Sequence, residues 1–541
     1  LRKESKLSLE KGASHKDWGG RFPIAFGYPN SYALAMSNLG FQTIYHLLNQ
    51  EPRIVAERFY LEGNSKSEFS GSLLTQESSR PVVETRVILF SVSFEQDYVN
   101  LVTLLRRAGL EPLAKDRSAQ DPLVLVGGVT TFINPLPLFP LVDGFLLGEG
   151  ELQIPVFTET LLAGQNLNRD GLLQALCKVP GFISSDFNSN QIPRNNFSLP
   201  RAAVDSFVPR TFVAPAGEEI FSDTLLVEVN RGCPRGCRFC AAGFVYRPFR
   251  NRSLTVLKEA IKAGISEFGF ERVGLVGSAL GDYPELKPLC HWLVAEGLSF
   301  SFSSIRIDEI DDELLSLMLA GGVKSITIAP EAGSERLRQA LRKKLSREVI
   351  LKQAARIAQA GIGRLKLYFL IGLPGERESD LVAIVDLVKE IRQVMLDNRK
   401  VKQLNVALSV SINPFVPKPQ TPMQWAPFAS VKDLKRKQKL LLKELLRIGG
   451  VNVEMESPVS AAWQSLLSRG GVDLAADLIA LADASGEYGR CMKKIVAENC
   501  QDFAALACEN SLPWDFITHS AGSDYLEKEY CEYLAAVANG A

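Results

Sequence analysis

Apolar and polar positions alternate with two periods along this chain, and the change of period divides it into three stretches. In the first, to about residue 205, VILFSVSF (Val87–Phe94), PLVLVGG (Pro122–Gly128) and GFLLGEGE (Gly144–Glu151) are short apolar runs ending in Gly or polar residues. Such runs predict buried strands. Val99–Ala108 has the spacing of an amphipathic helix. Strand, helix, strand predicts a doubly wound, Rossmann-like parallel sheet. Ligands in such sheets bind beyond the carboxyl ends of the strands, where Gly127, Gly128, Gly148 and Glu149 would lie. Ser184–Glu219, rich in Asn, Ser, Pro and Ala, reads as a linker.

From about Leu225 to Trp425 a strand-then-helix unit repeats six times. The predicted strands are Leu225–Asn230, Arg272–Gly277, Ser299–Ser304, Ser325–Ala329, Leu365–Ile371 and Gln403–Ser411. Helices are predicted between them over Thr255–Phe268, Glu285–Glu296, Asp312–Ala320, Ser346–Ala360 and Glu378–Val394. Repeated βα units imply parallel strands, and six of them a partial (β/α)6 barrel of the TIM type. From about Ala426 the pattern turns helical, beginning with KDLKRKQKLLLKELLRIG. The expected organisation is therefore α/β, with a Rossmann-type domain and linker over 1–205, a partial barrel over 206–425 and a mainly helical domain over 426–541.

Composition narrows the classes open to the chain. Hydrophobic residues at 46% and charged residues at 23% suit a soluble globular protein. The longest apolar candidate, Phe132–Leu147, is broken by Pro135, Pro137, Pro140 and Asp143, so no membrane span is predicted. The opening LRKESKLSLEKG carries no apolar signal core, which predicts a cytoplasmic protein. Lys+Arg and Asp+Glu both number 61, so nucleic acid is not indicated by charge. The run Lys432, Lys435, Arg436, Lys437 and Lys439 reads as a solvated helix face. Nine cysteines are too sparse for a disulfide scaffold, yet three fall within eight residues.

Those three form CPRGCRFC, Cys233-x-x-x-Cys237-x-x-Cys240, just after the first barrel strand, where chemistry on such folds collects. Three close thiolates can give each of three irons of a cubic cluster a soft ligand, leaving the fourth iron open. Structural zinc needs a fourth ligand, and the nearest candidates, Cys290 and His291, are distant in sequence. The spacing, with Phe239 before the last cysteine, resembles the defining motif of the radical S-adenosylmethionine (SAM) superfamily. The resemblance implies a 4Fe–4S cluster and SAM as cofactors. It implies reductive cleavage to methionine and a 5′-deoxyadenosyl radical, hydrogen abstraction from an unknown substrate, and a reductant such as flavodoxin or ferredoxin. It further implies SAM contacts from VGLVGSALGDY, where Ser278 and Asp282 replace the usual Gly-Gly-Glu, and from Ser304 and Arg306 in SFSSIRID. Glu331 in APEAGSERLR and Gly372 in LKLYFLIGLPGE complete that set, although Gly372 also suits a turn.

YPNSYALAMSNLGFQTIYHLLN (Tyr28–Asn49), EVNRGCPRGCRFCAAGFVYRPFRNRS, INPFVPKPQTPMQW, LLSRGGVDLA and LPWDFITHSAG are similar to bacterial radical SAM proteins with an N-terminal cobalamin-binding-like domain. The Asp-x-His-x-x-Gly motif that supplies a histidine to cobalt is absent, and the N-terminal histidines are His15 and His46 alone. Cobalamin, and with it methyl transfer, therefore stays an open expectation. His46 lies in an apolar helical pattern and reads as a core residue. Cys491, Cys500, Cys508 and Cys531 match no cluster spacing and read as small hydrophobes. Only Cys177 precedes the barrel, which argues against a methylthiotransferase with a second N-terminal cluster. Modification of tRNA or another RNA, and a non-catalytic iron–sulfur sensor or scaffold, are the alternatives.

Overall fold

The computed structural model of the chain describes residues 10–61, 72–185, 197–198, 203–215, 221, 223–303, 305–484, 486–518 and 521–539. Its first sheet comprises β1 (Phe22–Tyr28), β2 (Ile54–Tyr60), β3 (Val87–Ser91), β4 (Leu123–Gly127), β5 (Gly144–Leu146) and β6 (Phe182–Ser184). Their order is β2-β1-β3-β4-β5-β6, and all neighbours are parallel except β5 and β6. Side chains alternate strictly. Ile24, Phe26, Val87, Leu89, Leu123 and Leu125 enter one apolar core, while Ala25, Ile88, Phe90, Val124 and Val126 enter another. Both faces are thus covered, as parallel sheets require.

Three of these strands, β1, β2 and the short β6, fall outside the sequence expectation. β1 and β2 are buried along almost their whole length, yet β2 reads IVAERFY, with a Glu-Arg pair at its centre. Arg58 is fully buried between Glu10 (2.6 Å) and Glu77 (2.5 Å). Glu57 is buried under Trp18, Thr75 and Ser78. GFLLGEGE is strand only over Gly144–Leu146. The chain then turns at Gly148 (φ 133°), and a helix begins at Gly150. Most of Ser184–Glu219, the predicted linker, lies outside the described residues.

The barrel strands are β7 (Thr224–Glu228), β8 (Arg272–Val276), β9 (Ser299–Phe302), β10 (Ser325–Glu331), β11 (Arg364–Ile371) and β12 (Ala407–Pro414). They form two parallel ladders, β9-β8-β7 and β10-β11-β12. The intervening helices run over Leu254–Phe268, Leu286–Ala295, Asp312–Ala320, Arg347–Ala360 and Glu378–Asp397. Asp311 and Ser346 cap two of them by accepting from the amides of Leu314 and Val349. Left-handed Gly269 and Gly361 end two.

A seventh strand, β13 (Val451–Met455), extends the second ladder in parallel beside β12. It follows the helix Val431–Leu445, and its alternating, partly exposed pattern is easily lost after so strong a helical signal. On that helix Lys437 departs from the solvated-face expectation. It is buried, with Glu376 at 2.8 Å and Asp433 at 2.9 Å. Helices Pro458–Arg469, Leu474–Asp483, Tyr488–Glu498 and Ser523–Asn539 complete the chain. No helix of the described residues is long and apolar enough to cross a membrane.

Candidate active site

β7 delivers the cysteine loop. After Glu228, the short pairing of Asn230–Arg231 with Arg250–Asn251 closes the loop at its base. Gly232 (φ 80°) lies so near the Tyr246 carbonyl that a Cβ would come within 2.5 Å of it, so the chain can pass there only as glycine. Cys233, Cys237 and Cys240 are free thiols lining one pocket. Burial raises the pKa of all three, that of Cys240 to about 11, and the thiolates of Cys233 and Cys240 each repel that of Cys237. Deprotonating them together therefore needs a cationic centre between them. Among the described residues no three metal-ligating side chains converge as a single ion requires. A cubic cluster instead takes one thiolate on each of three irons, around a hollow. The donor set fits such a group.

Beside Phe239 of the cysteine loop, further lining residues lie at or after the ends of β8, β9 and β10. Phe239, Ser278, Asp282, Arg306 and Glu331 all border the cysteine pocket. Glu331 ends β10 after a register shift and holds a left-handed backbone (φ 69°). Its buried carboxylate pairs with Lys343 at 3.0 Å, and burial still raises its pKa. Arg306 binds Asp308 (2.8 Å) and the Lys343 carbonyl (3.2 Å). Arg235 binds Asp282 (2.7 Å) and Glu309. Gly372 is not among the residues bordering this pocket. It ends β11 at φ 80°, donates its amide to Glu376 (2.9 Å) and abuts Leu434. Ser304 lies outside the described residues. Lys343 and Glu309 carry no motif that could announce them.

A second cavity, of about 580 Å³, opens at the carboxyl edge of the first sheet over the neighbours β1 and β3, on either side of which the strand order runs in opposite directions, and it reaches across to β7 and β8. This is the switch point at which doubly wound sheets bind ligands. Gly127, Gly128, Gly148 and Glu149 line it, with Thr43, Asn230 and Ser278. Ser278 also borders the cysteine pocket, so the two spaces meet at that residue. Thr43 Oγ1 and Asn230 Oδ1 are buried in the cavity lining without a hydrogen-bond partner. Buried polar atoms of this kind normally have one. At the rim, Arg231 binds Glu151 (2.6 Å), Glu228 (2.8 Å) and Glu149 (3.2 Å). Glu149 also binds Arg250, and Glu228 binds Arg252. No histidine lines the cavity among the described residues. His46 stacks on Phe212 at 3.9 Å instead, its pKa lowered to about 4 by burial.

A sequence profile described as the radical SAM superfamily matches residues 227–388, the stretch that carries the cysteines and the other residues bordering their pocket. Residues 227–388 are a radical SAM domain. Members of that superfamily use a 4Fe–4S cluster and SAM, and the radical SAM core makes this protein an enzyme. A second profile, described as the N-terminal region of radical SAM proteins, matches residues 40–183. An uncharacterised protein of Methanocaldococcus jannaschii is 28% identical over 83% of this chain and 89% of its own length. A tRNA-2-methylthio-N(6)-dimethylallyladenosine synthase of Marinomonas is 25% identical over 40% of this chain and 49% of that one. Among solved structures, the radical SAM methyltransferase TsrM from Kitasatospora setae, with tryptophan and a SAM analogue bound, is similar in fold. Its TM-score is 0.55 at 13% identity, covering 88% of this radical SAM chain and 99% of TsrM. TsrM has also been solved with cobalamin and a [4Fe–4S] cluster (TM-score 0.53).

Proposed function

We propose that Cys233, Cys237 and Cys240 hold the 4Fe–4S cluster and that the reaction acts on a ligand lodged in the neighbouring cavity. The observation that carries this reading is Ser278, the wall common to both spaces. Cys233, Cys237 and Cys240 would hold the cluster, which when bound and reduced would supply the electron for cleaving SAM to methionine and a 5′-deoxyadenosyl radical able to abstract a hydrogen atom. The chain's own part is to bind, orient and exclude water. Glu331 with Lys343, Asp282 with Arg235, and Arg306 offer paired charges to SAM's amino, carboxylate and ribose groups. Ser278 offers a hydroxyl between the two ligands, and Phe239 an apolar wall. The paired Glu and Arg side chains narrow the cavity wall, and a bound ligand filling the space would favour radical chemistry by keeping competing reactants out.

Cobalamin, bound by TsrM, suits this cavity in one respect. The two unpartnered atoms, a hydroxyl and an amide oxygen, call for a neutral ligand carrying amide groups, and the charged side chains at the rim already have partners. Cobalamin held there would take no imidazole from the cavity lining. On this reading the reaction is cobalamin-assisted methyl transfer, in a cytoplasmic protein reduced by a flavodoxin or ferredoxin. The tRNA methylthiotransferase likeness covers 40% of this chain, and only Cys177 precedes the core, too few for a second N-terminal cluster.

The test is anaerobic reconstitution with iron and sulfide, then dithionite reduction with SAM, with Cys237→Ala as the comparison. Wild-type protein is expected to form 5′-deoxyadenosine and the variant none, read by mass spectrometry. Folded wild-type protein that takes up no cluster would refute the assignment. Titration with hydroxocobalamin, followed by its visible spectrum, tests the cavity separately.

A further inference from the structure

The cysteine loop is gripped by the last helix of the chain. Arg238 lies between Cys237 and Cys240, yet it is only 5% exposed. Its guanidinium donates to Glu529 (2.9 Å), Glu532 (2.6 Å) and the Ala340 carbonyl (2.8 Å), and its amide to the Leu341 carbonyl (3.2 Å). Arg342 binds the other Glu529 oxygen. Around this knot a separate apolar core unites Phe244 of the cysteine loop with Leu341, Leu526, Tyr530 and Tyr533, and Phe239 packs against it. The Tyr533 hydroxyl donates to the Pro374 carbonyl at 2.7 Å, pinning the helix to the loop after β11.

Two consequences follow from electrostatics and packing. A guanidinium one residue from Cys237 and two from Cys240 would, if unpaired, favour the more negative reduced state of a cluster there. With two carboxylates upon it, that bias is largely cancelled. The same bonds fix the backbone of Cys237–Cys240 before any cluster arrives, so binding need not order the loop.

We propose that the C-terminal helix is a working part of the cluster site. Glu529, acting through Arg238, is a positioning residue that presets the cysteine loop and neutralises the positive charge beside it. This rests on the assignment of the cluster to Cys233, Cys237 and Cys240. The test has two readouts on the full-length protein. The first is peptide-resolved alkylation of the cysteines in the cluster-free chain. The second is the midpoint potential of the reconstituted cluster from an EPR redox titration.

In Glu529→Gln, alkylation of Cys237 and Cys240 is expected to quicken roughly tenfold, the loss of about one charged hydrogen bond. Buried Cys290 should keep its rate, and the midpoint potential should move positive. Glu532→Gln should show a smaller change in the same direction, and exposed Glu527→Gln none. Wild-type thiol rates and an unmoved potential in both Glu529→Gln and Glu532→Gln would overturn the proposal. If Glu529→Gln loosens the whole chain, Cys290 reacts faster as well, and Glu532→Gln then decides by the same two readouts. Failure of the cluster assignment itself would show separately, as wild-type protein that takes up no cluster while the apo thiol rates still respond.

Discussion

Asp97 shows how a single buried carboxylate can set the pH response of this protein. It opens the helix Asp97–Arg107 just past the carboxyl end of β3 and is 4% exposed. Burial pushes its pKa up to about 6, against hydrogen bonds from Asn30 (2.6 Å) and Asn100 (3.4 Å). The folded chain therefore holds this proton more tightly than the unfolded chain does. Stability is lost as pH rises from about 4 to 6 and stays lost above, the sign expected of an acid whose folded pKa is raised. Asp97→Asn keeps an acceptor for Asn30 and removes the charge. The variant should be more stable than wild type at pH 7.5 by about 1–3 kcal/mol, the free energy of holding the carboxyl at about 6 rather than at its ordinary value. The gain should shrink steadily from pH 6 to pH 4. Thermal melts across that range check it, and a gain that does not vary with pH would place the effect elsewhere.

At the scale of elements, the turn after β4 shapes the cavity floor. Gly128 has φ 109° and ψ 173°, a region open in practice to glycine alone, and a Cβ there would lie 2.3 Å from the Val92 carbonyl. Gly128→Ala should cost about 1–3 kcal/mol from the backbone alone, with the clash adding to it, and should lower the melting temperature while Gly109→Ala, with open space around it, is affected less. This turn is legible in the sequence because Gly-Gly closes an apolar run. The barrel is legible for a similar reason, since each of its strands is a short apolar run separated from the next by a strongly amphipathic helix. β2 is not, because its central Glu57 and Arg58 look solvated until residues from other segments, Trp18, Glu10 and Glu77, cover them. The cysteine triplet announces itself by spacing alone. Lys343 does not, because it meets Glu331 only after β10 and the following short helix fold the chain back.

At the scale of the whole molecule, the question is what holds the first sheet against the barrel so that one cavity can span both. The apolar contact is broad, since a single core runs from Phe90 and Val126 of the first sheet through Val227 of β7 to Trp463 of the C-terminal region. It does not by itself fix orientation, because apolar packing is non-directional. The rim supplies direction. Arg231, the residue two before Cys233, is bound by Glu149 and Glu151 at the start of the helix after β5 and by Glu228 from β7. Its side chain is 15% exposed. Arg231→Met would leave three largely buried carboxylates with only Arg250 and Arg252 to share. Removing one member of a buried ionic set typically destabilises by about 3–5 kcal/mol. Part of that should appear locally, as faster backbone hydrogen exchange over residues 148–153 and 229–232, with the interior of the helix Glu378–Asp397 unchanged. If exchange quickens uniformly, or not at all, the rim is incidental and the shared apolar core alone sets the two sheets. If it quickens at those two segments together, the cysteine loop and the cavity above it are mechanically one site, and a ligand entering the cavity acts directly on the chain that bears Cys233.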